Sequence, residues 1–228
     1  MTFQEWSLLA GAALGAGTLN AVAGGGSFLT FPALVFTGVP PIMANATSAV
    51  AVSPGYLGST LGFRPELAAL PRQRLWVEGL ICALGGLAGA GLLLVTPAKV
   101  FSTLVPWLLL FATALFAAAP WLTGRRAGHA HPAARLGGLA VVAVYGGYFN
   151  GGLGILLMAL YAVTGEASLN TANALKNLNS LLLSLLSVLA FAWAGAVAWP
   201  QALAMRLEEH TSELQSRLHL VCRLLLEK

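Results

Sequence analysis

The residues of this chain whose types and spacing could do chemistry are asparagines, glycines, small hydroxyls and one lysine, all set inside apolar runs. Asn20 precedes Gly24, Gly25, Gly26 and Ser27, and Asn150 precedes Gly151, Gly152, Leu153 and Gly154. A glycine break in an apolar helix frees backbone N–H groups where the helix restarts, and such a restart favours an anion. Hydrocarbon cannot satisfy that backbone, so the break must be buried in protein or line a polar cavity. Glycines that merely let helices approach closely are the competing explanation. Two breaks at paired positions, as in transporters built from repeats, favour a site.

A second pattern is NALKNLNSLLLSLLS, in which Asn173, Lys176, Asn177, Ser180, Ser184 and Ser187 fall near one helical face. An earlier segment offers Asn45, Thr47 and Ser48, with Ser53, Tyr56 and Ser59 further along. Lys176 has two readings: a cation that attracts an anion within the membrane, or an interfacial lysine whose stem snorkels to water. Glu78 reads as interfacial, within the first turn of its apolar run.

Other chemistries fare worse. Ser27 as a nucleophile would need a general base within hydrogen-bond reach, and no histidine lies in any apolar run. His129 and His131 sit in a basic loop without a nearby Cys, Asp or Glu, so they suggest no metal site. Cys82 and Cys222 imply no disulfide framework. No enzyme activity, cofactor or metal is expected.

The elements that must position these residues follow from composition. The chain has 228 residues, 57% of them hydrophobic and 9% charged, with mean hydropathy +0.79. A soluble domain carries about 25% charged residues, so the reading is an all-α polytopic membrane protein in a lipid bilayer. Candidate spans are 7–37, 42–62, 75–96, 102–122, 137–163 and 172–198. Basic residues concentrate in two loops, 63–74 and 123–136, and so act as topology signals rather than as a nucleic-acid surface. The positive-inside rule places both loops inside. With 7–37 crossing once as a broken helix, the N-terminus is also inside, and links 38–41, 97–101 and 164–171 are outside. Ala21, Val22 and Ala23 resemble a cleavage site, but the preceding segment has no Lys or Arg and carries Glu5, so a cleaved signal peptide is not expected.

The chain also repeats itself. Asn20 returns as Asn150, Thr37-Gly38 as Thr164-Gly165, Ala44-Asn45-Ala46 as Ala172-Asn173-Ala174, and Leu70-Pro71 loosely as Trp199-Pro200, at offsets of 130, 127, 128 and 129. This divides the chain into a first membrane repeat at 1–122 with about four spans, a basic loop at 123–136, and a second, incomplete repeat at 137–205 with about two. A single crossing of 7–37 gives the two copies the same orientation. From 206 to 228 the character changes, with half of the acidic residues, and EEHTSELQS followed by LVCRLLLEK resembles a translated sequencing adapter. That tail is read as non-native, and the natural chain as truncated near Met205.

The segment GGGSFLTFPAL, the following ANATSA, and a second glycine break with its ANAxK-type helix resemble the sulfite exporter TauE/SafE family of membrane permeases. The resemblance covers residues 7–205. It implies a multi-pass permease of the bacterial inner membrane whose paired motifs build a central pathway. Residues and resemblance together give an expected substrate-binding set: Asn20, Gly24, Gly25, Gly26, Ser27, Asn45, Thr47, Ser48, Asn150, Gly151, Gly152, Gly154, Asn173, Lys176 and Asn177. The expected cargo is a small anion, such as sulfite, a sulfonate or a related organosulfur compound, moved by alternating access between the repeats. A passive anion channel and a non-transporting membrane scaffold are the rivals. No nucleic-acid partner is expected, and there is room for a homo-oligomer.

Overall fold

The computed structural model describes residues 2–23, 25–124, 132–166 and 168–206. The regular elements among them are helical: α1 (Phe3–Ala23), α2 (Ser27–Phe36), α3 (Pro41–Gly62), α4 (Arg64–Ala68), α5 (Arg72–Val95), α6 (Ala98–Gly124), α7 (Pro132–Tyr148), α8 (Leu153–Val163) and α9 (Leu169–Trp193). A further helical segment occupies 199–206. Prolines mark two starts, Pro41 at the first position of α3 and Pro71 just before α5, where the missing N–H costs nothing. Ser168 caps α9 by accepting from the Thr171 N–H at 3.3 Å.

Burial is inverted relative to a water-soluble bundle. Asn45, Thr47, Ser48, Glu78, Asn150, Lys176 and Asn179 are buried, whereas Leu57, Leu80, Leu84, Leu92, Leu110, Val141 and Leu189 face outward. An apolar exterior around a polar interior suits hydrocarbon as the surrounding solvent. Arg72–Val95, Ala98–Leu115 and Leu169–Trp193 are long and apolar enough to cross a membrane. Trp76, Trp107, Trp193 and Trp199 are exposed; of these, Trp76, Trp193 and Trp199 sit near helix ends, where indole rings favour the headgroup region.

The two glycine breaks do not continue a crossing; each reverses the chain. A side chain at Gly15 would meet Leu29 at 3.0 Å, and one at Gly26 would meet the Ala16 carbonyl at 2.9 Å, so α2 runs back along α1. Likewise Gly138 faces Leu160 and Gly146 faces Leu153, so α8 runs back along α7. The expected single crossings at 7–37 and 137–163 are therefore helical hairpins. The shorter arms, α2 and α8, have 10 and 11 residues. At 1.5 Å per residue they are about 15 Å long, half a hydrocarbon core.

The hairpins enter from opposite ends of the bundle. Helices α5, α7 and α9 run parallel: Glu78 meets Asn179, Gly86 meets Ser187, and Arg135 meets Glu78. Their starts, with Arg72, Arg74 and Arg135, define a basic end, where α3 also finishes. The first hairpin opens toward the other end, since Thr47 near the start of α3 binds Ala198 N, just beyond α9, at 3.0 Å. Two expectations change with this. The N-terminus lies at the end opposite the 63–74 loop, and link 164–171 lies at the same end as that loop, because Glu166 pairs with Arg74 at 2.7 Å. The helices that the expected repeat would pair, α1 to α3 with α7 to α9, thus have opposite rather than shared orientation.

Glycine accounts for the closest packing. Helix α5 lies so near α7 that a side chain at Gly89 would strike the Val144 carbonyl, and one at Gly147 the Gly86 carbonyl. Apolar packing fills the rest in two clusters. One gathers Leu9, Phe31, Leu34, Leu93, Phe101 and Phe149 around the first hairpin. The other gathers Cys82, Leu139, Leu153, Leu157, Tyr161 and Leu175 around the second.

Candidate functional site

Where the tips of the two hairpins meet, the polar residues of both breaks come together. Asn150 Nδ2 donates to Ser27 Oγ at 3.1 Å. A side chain at Gly152 would lie 3.0 Å from the Phe28 ring, and one at Gly25 would lie 3.4 Å from Ile155. Gly152 has φ +79° and forms the N-cap of α8, a left-handed conformation that favours glycine. Neither α2 nor α8 has a side-chain cap at its N-terminus. Both therefore direct the positive end of a short helix dipole toward the junction.

Asn45 holds the second break open. Its Oδ1 accepts from the Asn150 N–H at 3.1 Å, and its Nδ2 donates to the Tyr148 carbonyl at 3.2 Å. One amide thus replaces the partners that a continuous helix would have supplied. Tyr145 adds a hydroxyl donated to the Gly151 carbonyl at 3.0 Å. Thr30 and Ser48 share a buried hydrogen bond of 2.6 Å between α2 and α3. Asn20 is buried beside Gly26, where the two arms of the first hairpin touch.

The expected residues thus divide by place. The junction holds Gly25, Gly26, Ser27, Asn45, Asn150, Gly151 and Gly152, with Asn20 and Ser48 next to it; Gly154 lies in the first turn of α8. Thr47 instead fixes the segment after α9. Asn173 is half-buried near the start of α9. Lys176 and Asn177, two turns into α9, are buried at 3% and 5% exposure. That burial removes the reading of Lys176 as a snorkelling lysine. Gly24, His129, His131 and the 207–228 tail lie outside the described residues.

The polar face of α9 continues inward through Ser180 and Ser184. Both hydroxyls are buried without a hydrogen-bond partner, as is Asn150 Oδ1. Unsatisfied polar atoms are rare in protein interiors, and a row of them along one helix suits a face that water or a polar cargo wets.

A second polar cluster was missed in the sequence. Glu78 is buried in the bundle rather than exposed at its helix end: it is 1% exposed and held from four directions. Arg74 Nε donates to Oε1 at 2.9 Å, and Arg135 Nε approaches the same oxygen at 3.4 Å. Tyr161 OH and Asn179 Nδ2 donate to Oε2 at 2.8 and 3.3 Å. Arg74 also donates to Glu166. The cluster ties together α5, α7, α8, the following link and α9. One signal for it was available, since an acidic residue within an apolar span is a functional candidate by default.

Comparison with known proteins adds a lineage. A family model described as sulfite exporter TauE/SafE matches residues 9–207. A probable membrane transporter protein of Haemophilus influenzae is 29% identical over 190 residues, covering 82% of this chain and 74% of the relative. The probable membrane transporter protein YfcA of Escherichia coli K12 is 28% identical over 201 residues, covering 83% and 71%. No solved structure matches the chain.

Proposed function

The chain belongs to the sulfite exporter TauE/SafE family, and from that membership we propose that it is a permease carrying a small anion, such as sulfite or a sulfonate, by alternating access between two inverted repeats. The observation that carries this reading is the junction of the hairpins. Two half-helix N-termini converge there beside Asn45, Asn150 and Ser27, and Asn150 Oδ1 has no hydrogen-bond partner. Paired broken elements meeting inside a bundle are how repeat transporters build a central substrate site. Backbone donors and helix dipoles there suit an anion without a fixed counter-charge.

The polar face of α9 extends this site toward the basic end, with Lys176 as its cation. Ser180 and Ser184 lie along the route. The family and the relatives' names support membrane transport; the anion and the inner membrane are part of the proposal. With the basic loops inside, the N-terminus is outside and the second hairpin opens to the cytoplasm.

The test is sulfite flux in proteoliposomes. A carrier accelerates labelled sulfite uptake when the lumen is preloaded with unlabelled sulfite, and a passive pore does not. Asn150→Leu should abolish the flux, and Lys176→Gln should lower it several-fold, in protein that remains folded. Unchanged flux in both variants would refute the site.

A further inference from the structure

We propose that the basic end carries an oxyanion subsite on Arg74 and Arg135, with the carboxylate of Glu166 competing for Arg74. The inference rests on the anion-permease reading and adds to it a separate stop for the anion, away from the hairpin junction. A cavity of about 240 Å³ opens there, with Gln73, Arg74, Glu78 and Arg135 in its wall. That is room for a small oxyanion and several waters, each about 30 Å³ in the liquid.

The two carboxylates at this end differ in kind. Glu78 is fixed, with both oxygens engaged and its side chain 1% exposed. The Glu166 carboxylate makes one contact, to Arg74 Nη2 at 2.7 Å, with 16% of its side chain exposed, while its backbone N–H donates to the Tyr161 carbonyl at 3.0 Å. It follows Gly165, whose φ of +79° ends the α8 segment in a left-handed turn. Glu166 is therefore a carboxylate on a link, able to leave its arginine without dismantling a helix.

The guanidinium groups are under-used. Arg135 Nε is buried without a hydrogen bond, and its approach to Glu78 at 3.4 Å is an ion pair only. Both arginines converge on one oxygen of Glu78, and both line the cavity. Planar guanidinium forks match oxyanions in pairs of parallel hydrogen bonds. An oxyanion that displaces Glu166 takes over its charge pairing with Arg74. Glu166 is thus a built-in competitor, and its removal should strengthen anion binding, whereas loss of a purely structural ion pair would not.

The experiment measures equilibrium binding of ³⁵S-sulfite to the full chain in nanodiscs, with folding followed by size exclusion. Glu166→Gln should bind about tenfold more tightly than wild type, the lower end of the scale of one charge-assisted hydrogen bond because the pair is partly exposed. Arg135→Gln should bind about tenfold more weakly, with partial rescue in Arg135→Lys. Glu166→Ala serves as a second removal of the carboxylate, with the same expected gain. Binding that is lost in Asn150→Leu but unchanged or weakened in both Glu166 variants overturns the subsite and leaves the junction site standing. Absence of sulfite binding in every variant, wild type included, overturns both readings.

Discussion

Asn45→Ala tests whether a single amide keeps the second hairpin open. Asn45 is 1% exposed, and its truncation removes the bonds to Tyr148 O and Asn150 N together. Hydrogen bonds within membranes average about 0.6 kcal/mol, because the unfolded chain in the bilayer finds other partners. Two of them set a floor of about 1 kcal/mol. The ceiling comes from orphaning a buried donor and a buried acceptor, about 1–3 kcal/mol each. Here the orphaned groups flank a helix break, so no adjacent turn can take them over. The loss should fall well above that floor, at about 3 kcal/mol. Unfolding by SDS titration in mixed micelles would measure it, and hydrogen exchange at the Asn150 amide would localise it. Asn45→Asp sharpens the test: it keeps an acceptor for Asn150 but sets a second oxygen against the Tyr148 carbonyl, so it should destabilise at least as much as alanine. An Asn45→Ala protein with wild-type stability and no faster exchange at Asn150 would refute the reasoning.

Other consequences are checked more simply. In a background of Cys82→Ala and Cys222→Ala, cysteines at Thr2 and Ala69 should be labelled from opposite sides of the membrane, and cysteines at Ala69 and Leu169 from the same side; the reverse pattern would mean that the glycine breaks continue through the bilayer. Glu78→Gln should cost about 2 kcal/mol in the same SDS titration, less than the roughly 3–5 kcal/mol of a fully buried pair, because Arg74 and Arg135 are 17% and 25% exposed and can turn toward water. Gly147→Ala should prevent folding by driving a methyl into the α5 backbone, whereas Gly91→Ala, with nothing within 4 Å, should be neutral or stabilising by up to about 1 kcal/mol; yields of monodisperse protein would separate the two. Ser180→Ala with Ser184→Ala should leave stability unchanged or raised, since both hydroxyls lack partners, while sulfite flux falls; a loss of stability without a loss of flux would make the stripe structural.

The helical membrane class was legible because hydropathy reports solvent preference directly, and the ends of α3, α5 and α9 fall within a few residues of the spans expected at 42–62, 75–96 and 172–198. The reversals at Gly25–Gly26 and Gly151–Gly152 were not. A long hydropathy run, as at 7–37 and 137–163, looks the same whether it crosses once or turns back, since both arms of a hairpin face the same apolar surroundings. What separates the two is the contact of Gly15 with Leu29 and of Gly146 with Leu153, which spacing does not carry. The hairpin junction was legible where it depended on residue type, as at Asn45, Asn150 and Ser27. It was missed where it depended on tertiary approach, as at Glu78, whose partners Arg135, Tyr161 and Asn179 come from three other helices.

The opposite orientation of the two hairpins changes what the polar residues can do together. With both entering from one end, Ser27 and Asn150 would lie side by side on a single approach, and one gate would control them. Entering from opposite ends, they meet in the interior with one hairpin stem directed to each side. The stems are then held differently. Around the first, the contacts are apolar, through Leu9, Phe31, Leu34 and Phe101. At the base of the second, Arg135, Arg74, Glu78 and Glu166 add ion pairs between α5, α7 and the link after α8. Apolar contacts respond little to salt, whereas partly exposed ion pairs are screened by it. On the permease reading, raised ionic strength at the basic end should therefore loosen the second stem selectively. Hydrogen exchange with salt raised on that side should speed at the start of α7 and in the link after α8, and not in α1 or α2. Equal acceleration in both hairpins would mean that the charged cluster does not set the stability of its own end.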